Sequence, residues 1–565
     1  MHHRQAPRIC FLLLLLAAAA CTRGPMAAPP EKKTIDALAG ALLEVPPRGE
    51  PGKPGDWLVR VLDAEPDTLN PITATDAYES QINEFIYESL VRRNPKTLEF
   101  EPQIAESWES SKDGLTHVFH LRKDVRFHDG HPLTAGDVVF SYDRIQDPKV
   151  DSPSLKVYFV DVKEFVKLDD YTVKCVYKKP YFRAFEICGA SISVLPKHVF
   201  EKGDFNGHPN NRHPIGTGPL RFVRWNTGEV IELEPNPGYY DPTRAFRFSK
   251  VVFRVITENS VALQVFKEGD IDIAGLSPEQ WIRQTGSKRF ERRGNKVLYD
   301  SRSYSYIGWN LRRPKFQDKR VRQAMTRLIP REEIAQKLYY GMARVVCSDV
   351  FYLTDYYDKN LVCQKHDPQK AKELLAEAGW KDTDGDGVLD KNGKPLVFEL
   401  ASTAGNPVAE AMSTIIKEEL AKAGVQMNIR MLDWAAFLKK VQDWDFDACM
   451  LGWSLSLDPD PYQLWHSSGA DQKGSSNHVG YKNKEVDSII EEYRESFDKQ
   501  KRIELLKRFQ EILYDEEPYT FLFSQKARVA YNKRIVNLHY YPGGTDAQEW
   551  YVPAGEEHYV RMAAP

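Results

Sequence analysis

Beyond its first twenty residues the chain has no apolar run approaching the roughly 18 residues that mark a membrane-spanning helix. It has no excess of positive charge: 77 Lys and Arg stand against 80 Asp and Glu, a formal net charge of -3. That balance lacks the electrostatic footprint of a protein that neutralises many phosphates, so nucleic acid is not an expected partner. Also missing are a G-x-S-x-G nucleophile elbow, an H-E-x-x-H helix and a G-x-x-x-x-G-K-[ST] phosphate loop. No CxxC pair or histidine-rich spacing points to a metal. The expectation is a non-enzyme with no catalytic residue, cofactor or metal.

Cysteine is scarce, with seven in 565 residues. Cys10 and Cys21 fall in and just after the amino-terminal apolar run, leaving Cys175, Cys188, Cys347, Cys363 and Cys449. Cys347 and Cys363 flank a turn-rich stretch and are the expected disulfide; Cys175 and Cys188 are placed to close a strand-turn-strand unit. The alternative is that all five are small buried hydrophobes.

What the chain does contain is ordinary globular material, 42% hydrophobic and 28% charged, enough at about 150 residues per domain for three or four units. Arg4 and Arg8 precede an apolar run from Ile9 to Ala20, too short to span a bilayer and suited to an export signal. It ends Ala18-Ala19-Ala20-Cys21, similar to the bacterial lipoprotein signal in which the cysteine is lipidated. Residues 1–21 are read as that signal and 22–55, rich in Pro, Gly and charge, as a tether. The body is expected outside the cytoplasm, with acyl chains on Cys21 as its membrane anchor.

From Asp56 on, short strands alternate with helices. Trp57 to Leu62, His117 to Leu121, Val125 to Phe127, Val251 to Ile256 and Tyr304 to Leu311 read as strands. Glu79 to Leu90, Gln323 to Tyr340, Gln369 to Ala378, Ala409 to Ala423 and Lys484 to Asp515 read as helices. Thr134 is an N-cap with Asp137 placed to complete a capping box. The class is mixed α/β.

The order of motifs carries more information. Pro66-Asp-Thr-Leu-Asn-Pro71, Ala105-Glu-Ser-Trp108, Phe119-His-Leu-Arg122, Val125-Arg-Phe-His-Asp-Gly130, Leu133-Thr-Ala-Gly-Asp-Val138, Gly216-Thr-Gly-Pro219, Asn236-Pro-Gly-Tyr239, Tyr306-Ile-Gly-Trp-Asn310 and Gly480-Tyr481 follow one another along the chain. The series closely resembles the extracellular solute-binding proteins of family 5, the dipeptide and oligopeptide receptors of ABC importers. The resemblance implies a two-lobed periplasmic-binding-protein-like fold (class II). Its first lobe would be built from 56–78, 212–300 and 530–565, an inserted domain from 79–211, and the second large lobe from 301–529. It also implies a monomer that closes on a peptide or similar polar solute by hinge motion and passes it to permease subunits.

Candidate ligand contacts follow from family position and local chemistry. Gly452, Trp453, Ser454, Ser456, Asp458 and Asp460 lie in Leu451-Gly-Trp-Ser-Leu-Ser-Leu-Asp-Pro-Asp-Pro-Tyr462, where glycine admits close backbone approach and the indole a flat contact. Asp76, Tyr78, Tyr304, Tyr306, Trp309, Asn310 and Trp434 complete the set, with core packing as the alternative for each aromatic. Two departures stand out. In dipeptide and oligopeptide members an aspartate three positions after the tryptophan receives the peptide's amino group; this chain has Ser456. Dipeptide receptors place an arginine for the ligand carboxylate in the loop that here reads Ala401-Ser-Thr-Ala-Gly-Asn-Pro407, without a cation. Strict dipeptide specificity is therefore not expected; longer or blocked peptides, or another polar solute, remain open.

Asp382-Thr-Asp-Gly-Asp-Gly-Val-Leu-Asp390 opens like an EF-hand loop, but its twelfth position is Gly393 instead of a bidentate Glu, so a turn-rich hairpin is expected. His117, His120, His128 and His131 read as exposed or capping groups. The alternatives to a peptide receptor are a receptor for an oligosaccharide, suggested by Ser456 and the aromatic set, and a secreted hydrolase using Asp458 and Asp460.

Overall fold

The computed structural model describes residues 44–559 apart from residues 54 and 75. The expected export signal, Cys21, residues 22–43 of the expected tether and residues 560–565 lie outside the described residues.

The first lobe is organised by the strand Trp57–Leu62, whose β-branched and aromatic residues suit a sheet centre. It runs parallel to Lys250–Val255 on one side and to Ile273–Gly275 on the other. Antiparallel neighbours Val230–Pro235 and Leu220–Asn226 extend one edge, and Phe523–Asn532 with Gly294–Asp300 the other. A buried charge cluster pins this sheet. Arg534 forks onto Asp272 at 2.6 and 2.8 Å and also reaches Asp56, while Val59 N donates to Asp272 at 2.9 Å.

The segment expected to be a free tether is docked from residue 44 on. Glu44–Val45 pairs antiparallel with His539 and Leu538, Gly52 N donates to Val552 O at 3.1 Å, and Arg48 pairs with Glu556. Its prolines are compatible with an edge, where a missing N–H faces no ladder partner.

The inserted domain carries the sheet Ala105–Ser110, Thr116–Leu121, Thr172–Tyr177, Val162–Asp169. Thr134 and Asp137 form the reciprocal cap of the helix Ala135–Gln146. Cys175 is bonded to Cys188, joining a strand to the helix Ala184–Ala190 and not to a second strand. The motif glycines Gly216 and Gly218 are explained by contact: a Cβ on either would collide with the carbonyls of Ile86 and Phe85. His128 locks this turn, receiving Gly216 N at 3.2 Å and contacting Gly218 O at 3.1 Å.

The second large lobe holds the sheet Gln426–Leu432, Val397–Thr403, Ala448–Ser454, Ser303–Trp309, Tyr519–Phe521. The chain enters it between Gly294–Asp300 and Ser303–Trp309, and returns through Tyr519–Phe521 and the long strand Phe523–Asn532. The strand Phe523–Asn532 is shared between the lobes: Phe523 to Gln525 pair with Ala343–Val345 of the second, and Lys526 to Asn532 with Gly294–Asp300 of the first, while Tyr519–Phe521 pairs with Tyr306–Gly308. Cys347 is bonded to Cys363, closing the loop that carries Phe351. Cys449 is free and buried.

Candidate functional site

Three cavities of about 510, 320 and 180 Å³ meet along the end of the strand Ala448–Ser454. Ser454 lines all three, Trp453 the two smaller ones and Leu455 the largest and the smallest. Leu455 N donates to Arg302 O at 2.8 Å, which ties this strand end to the crossing between the large lobes. The 510 Å³ cavity has walls from both: Asp63, Ile273 and Val529 from the first, Phe351 and Ser454 from the second. This is a composite groove between lobes, with several chambers opening off one strand end.

Of the predicted contacts, Gly452, Trp453, Ser454, Tyr304 and Trp434 line the 320 Å³ chamber, and Ser456 lines the 180 Å³ one. Gly452 also has a packing reason, since a Cβ there would lie 3.0 Å from Tyr304 O. Asp76 caps the helix Ala77–Ile86, receiving Tyr78 N at 2.7 Å and Glu79 N at 3.2 Å. Its second oxygen receives Trp434 Nε1 at 3.4 Å, and the Tyr78 and Trp434 rings meet edge to face at 5.5 Å. These three residues therefore touch one another across the gap between lobes.

The others are engaged in the protein's own packing, and of these Asp460 also lines the 180 Å³ chamber. Tyr306 is buried and stacked on Tyr519 at 3.8 Å between ring centres. Trp309 is buried against Phe316 and Phe398 and donates to Thr520 Oγ1 at 3.1 Å. Asn310 is buried and donates to Phe446 O at 2.8 Å. A strand buried on both faces turns its alternating aromatics into two cores, so the period-two pattern could not show which side met a ligand. Asp460 is paired with Arg494 at 2.7 Å with its side chain fully buried, and receives Tyr181 O–H at 2.6 Å. Arg494 also donates to Val157 O at 3.2 Å, so this pair fastens the inserted domain to the second large lobe. Asp458 faces Arg93 at 3.4 Å, and Ser456 Oγ donates to Asp458 O at 2.9 Å, closing its own turn.

The chambers differ in charge. The 320 Å³ one is lined by Ser303, Ser402, Thr403, Asn406, Gln525 and apolar groups, without an ionisable acid or base beyond tyrosine. Asn406 spends its carbonyl as the cap of the helix Pro407–Ala421. Four charged residues line the 510 Å³ chamber: Arg60, Asp63, Asp300 and Arg302. Arg60 faces Glu84 at 3.5 Å, and Asp300 receives Tyr352 O–H at 2.7 Å beside Lys526 at 3.4 Å. Arg302 donates to Gly543 O at 3.1 Å and has no carboxylate in ion-pair range among the described residues; Asp63 has neither a hydrogen bond nor an ion pair there. The Asp63 carboxyl is wetted by the cavity yet enclosed by protein, which raises its pKa; enclosure, and then Arg93, lower that of Arg302. Sequence reasoning missed both, although Asp63 directly follows the predicted strand Trp57 to Leu62 and Arg302 sits at the predicted entry to the second lobe. Ligands gather at the carboxyl ends of strands in open α/β sheets, and that rule was the available signal for Asp63.

Outside the groove, Asp382, Asp384 and Asp386 converge, but Asp382 is taken up by Gly385 N at 2.7 Å and Gly387 N at 3.1 Å. Gly393 turns the hairpin between Asp390–Lys391 and Lys394–Pro395. Among the histidines, His117 is buried, with its pKa pushed down to about 4 by enclosure. His120 faces Glu109 at 3.7 Å, and His131 stacks on His198 beside Asp129 at the surface of the inserted domain.

Residues 99–475 match the model of the family described as bacterial extracellular solute-binding proteins, family 5 middle. The oligopeptide-binding protein AppA of Bacillus subtilis (strain 168) is 33% identical over 510 residues, 87% of this chain and 90% of that one. The dipeptide-binding protein of Escherichia coli (strain K12) is 29% identical, covering 82% and 88%. The structure of Bacillus subtilis AppA in complex with a nonapeptide superposes with a TM-score of 0.83 at 30% identity, covering 89% of this chain and 100% of that one. DppA from Helicobacter pylori in complex with the peptide STSA gives 0.78 at 26%, covering 88% and 98%.

Proposed function

Because this chain belongs to the bacterial extracellular solute-binding proteins of family 5, we propose that it captures peptides between its lobes and delivers them to the permease of an ABC importer. It is a binding component and not an enzyme, and it works outside the cytoplasm. The observation that carries the peptide reading is the three-chambered groove along Trp453, Ser454 and Leu455, lined by both large lobes. A series of pockets beside one extended strand end fits a ligand with side chains at intervals along a backbone. The two relatives of known structure named above hold a nonapeptide and a tetrapeptide, which supports a ligand longer than two residues. Ligand bound to the closed arrangement shifts the population from open to closed, and that shift is the signal a permease reads.

At the amino terminus we read Cys21 as the lipidated residue that holds this receptor at the membrane. Cys21→Ser should lose acyl labelling; unchanged labelling removes Cys21 from the anchor.

The test of the ligand class is mass spectrometry of whatever co-purifies in the groove, followed by titration calorimetry of the stripped protein with peptides of two to nine residues and with short glycans. Peptides of four or more residues should bind in preference to dipeptides. A glycan that binds while every peptide fails would overturn the reading, as would a ligand recovered chemically altered.

A further inference from the structure

The groove lacks the two charged anchors that the resemblance leads one to look for, at Ser456 and in Ala401 to Pro407. It nevertheless holds two charges that the protein leaves unmatched, in one chamber. Arg302 is half-buried on the crossing between the large lobes, and its only hydrogen-bond acceptor among the described residues is the Gly543 carbonyl at 3.1 Å. Asp63 lies just past the carboxyl end of the strand Trp57–Leu62 in the same 510 Å³ chamber, with no donor or cation against it among the described residues. Elsewhere the enclosed arginines have their N–H groups taken up: Arg494 by Asp460, Arg534 by Asp272, Arg183 by Glu186 at 2.9 Å, and Arg322 and Arg331 by three or more backbone carbonyls each.

An enclosed guanidinium without a carboxylate is costly, and its planar fork fits one bidentately. Asp63 is exposed to the same chamber, and its free carboxylate is the complementary partner for an ammonium group. Resting on the peptide reading above, we propose that Arg302 receives a carboxylate of the ligand and Asp63 an ammonium group, so that the 510 Å³ chamber selects peptides carrying both charges. The anchoring lost at Ser456 and before the helix Pro407–Ala421 is thus relocated to the first-lobe side of the groove. Arg302 has a further consequence by position. Its backbone holds Leu455 N at 2.8 Å, so a carboxylate on its side chain grips the crossing and the second lobe's strand end together.

The test uses the intact, ligand-stripped protein and peptides of three or four residues built from Ala, Gly, Ser and Leu, short enough for both termini to reach one chamber, each in free, N-acetylated, C-amidated and doubly blocked form. Hydrogen bonds to a charged partner contribute about 1.5–3 kcal/mol, so each block should weaken binding about 10- to 150-fold. Arg302→Gln should weaken the forms with a free carboxylate by that factor and leave amides at wild-type affinity, whereas Arg302→Lys should retain part of the preference. Asp63→Asn should do the same for the free amine and leave acetylated peptides unchanged. Equal affinity of the wild type for all four forms overturns the assignment and leaves the peptide reading standing. Loss of free and amidated peptides alike in Arg302→Gln makes Arg302 a structural residue and also overturns it. If no peptide binds in any form, the peptide reading falls and this inference with it.

Discussion

Two sets of charge beside the first-lobe sheet are treated differently: one is buried, and the other lines the groove, with Arg302 half-buried and Asp63 exposed. In the first, the Arg534 guanidinium meets Asp272 through two nitrogens, reaches Asp56 with a third, and donates to Trp57 O at 2.7 Å; Asp56 in turn receives Tyr559 N at 3.0 Å. Four of the five guanidinium N–H groups thus find acceptors. In the second, Arg302 and Asp63 share a chamber and neither meets an opposite charge. Breaking a fully matched buried pair costs about 3–5 kcal/mol, because the surviving charge has no escape from its low-dielectric site. A charge facing a water-filled groove keeps part of its hydration, so the fold tolerates it unmatched and a ligand can complete it. Between these two sets, matched charge holds the fold together and the unmatched charges face the groove.

The sharpest way to break that comparison is to remove the arginine from each set. Arg534→Met should lower unfolding stability by about 3–5 kcal/mol in urea titration. Arg302→Met should change it by less than about 1 kcal/mol, or raise it, because desolvation of an unmatched cation is relieved. Similar losses in both variants would erase the distinction.

A second test concerns Glu79, an enclosed acid whose partners are neutral: Ser80 Oγ at 3.0 Å and Asn83 Nδ2 at 3.1 Å, with Asp76 nearby. Burial, and then the Asp76 charge, push its pKa up to about 8, whereas an unfolded Glu titrates near 4.5. A carboxyl raised in the folded state contributes stability that is fully present below pH 4.5 and is lost as the pH rises to 8. Glu79→Gln, which mimics the protonated form, should match the wild type at pH 4.5 and exceed its stability at pH 8 by about 2–4 kcal/mol. The difference between the two proteins isolates Glu79 from other raised acids such as Asp349, at about 6. A constant difference across that range would show that Glu79 is charged in the fold.

What the sequence made legible depended on whether the deciding interaction was local. The capping box at Thr134, the strand Trp57–Leu62 and the strand end at Trp453 were readable because neighbours in sequence create them. The predicted helix Gln323 to Tyr340 is two helices, Lys319–Leu328 and Arg331–Lys337, since Pro330 supplies no N–H to continue the first. Lys484 to Asp515 likewise divides into Lys484–Glu495 and Lys499–Glu516, with Asp498 capping the second. Val125 to Phe127 carries strand-like alternation but makes only the isolated bridge of Arg126 to Pro132. The groove was legible in its uncharged half and illegible in its charged half. Gly452, Trp453 and Ser454 lie in one motif, while Asp63 and Arg302 are brought together only by the crossing of two lobes. The ion pair of Asp460 was illegible for the same reason, as its partner Arg494 lies 34 residues on.

The smallest expected effect tests an uncharged contact between lobes against both charge sets. Trp434 meets Tyr78 edge to face at 5.5 Å and donates to Asp76 at 3.4 Å, joining the start of the helix Trp434–Gln442 to the start of the helix Ala77–Ile86. Aromatic pairs of this geometry are worth about 0.5–1.5 kcal/mol, and here that energy exists only when the lobes are together. Trp434→Ala should therefore weaken ligand binding by about 2- to 10-fold, chiefly through faster release, with the unfolding midpoint little changed. Trp434 also lines the 320 Å³ chamber, whereas Tyr78 lines none of the three chambers of the groove, and this separates a latch from a ligand contact. Tyr78→Leu should reproduce most of the loss, and the double variant should be no weaker than Trp434→Ala alone, because one interaction has been removed from either side. Additive losses in the double variant would mean that Trp434 acts on the ligand, and the closing force would then rest with the charges at Arg302 and Asp63.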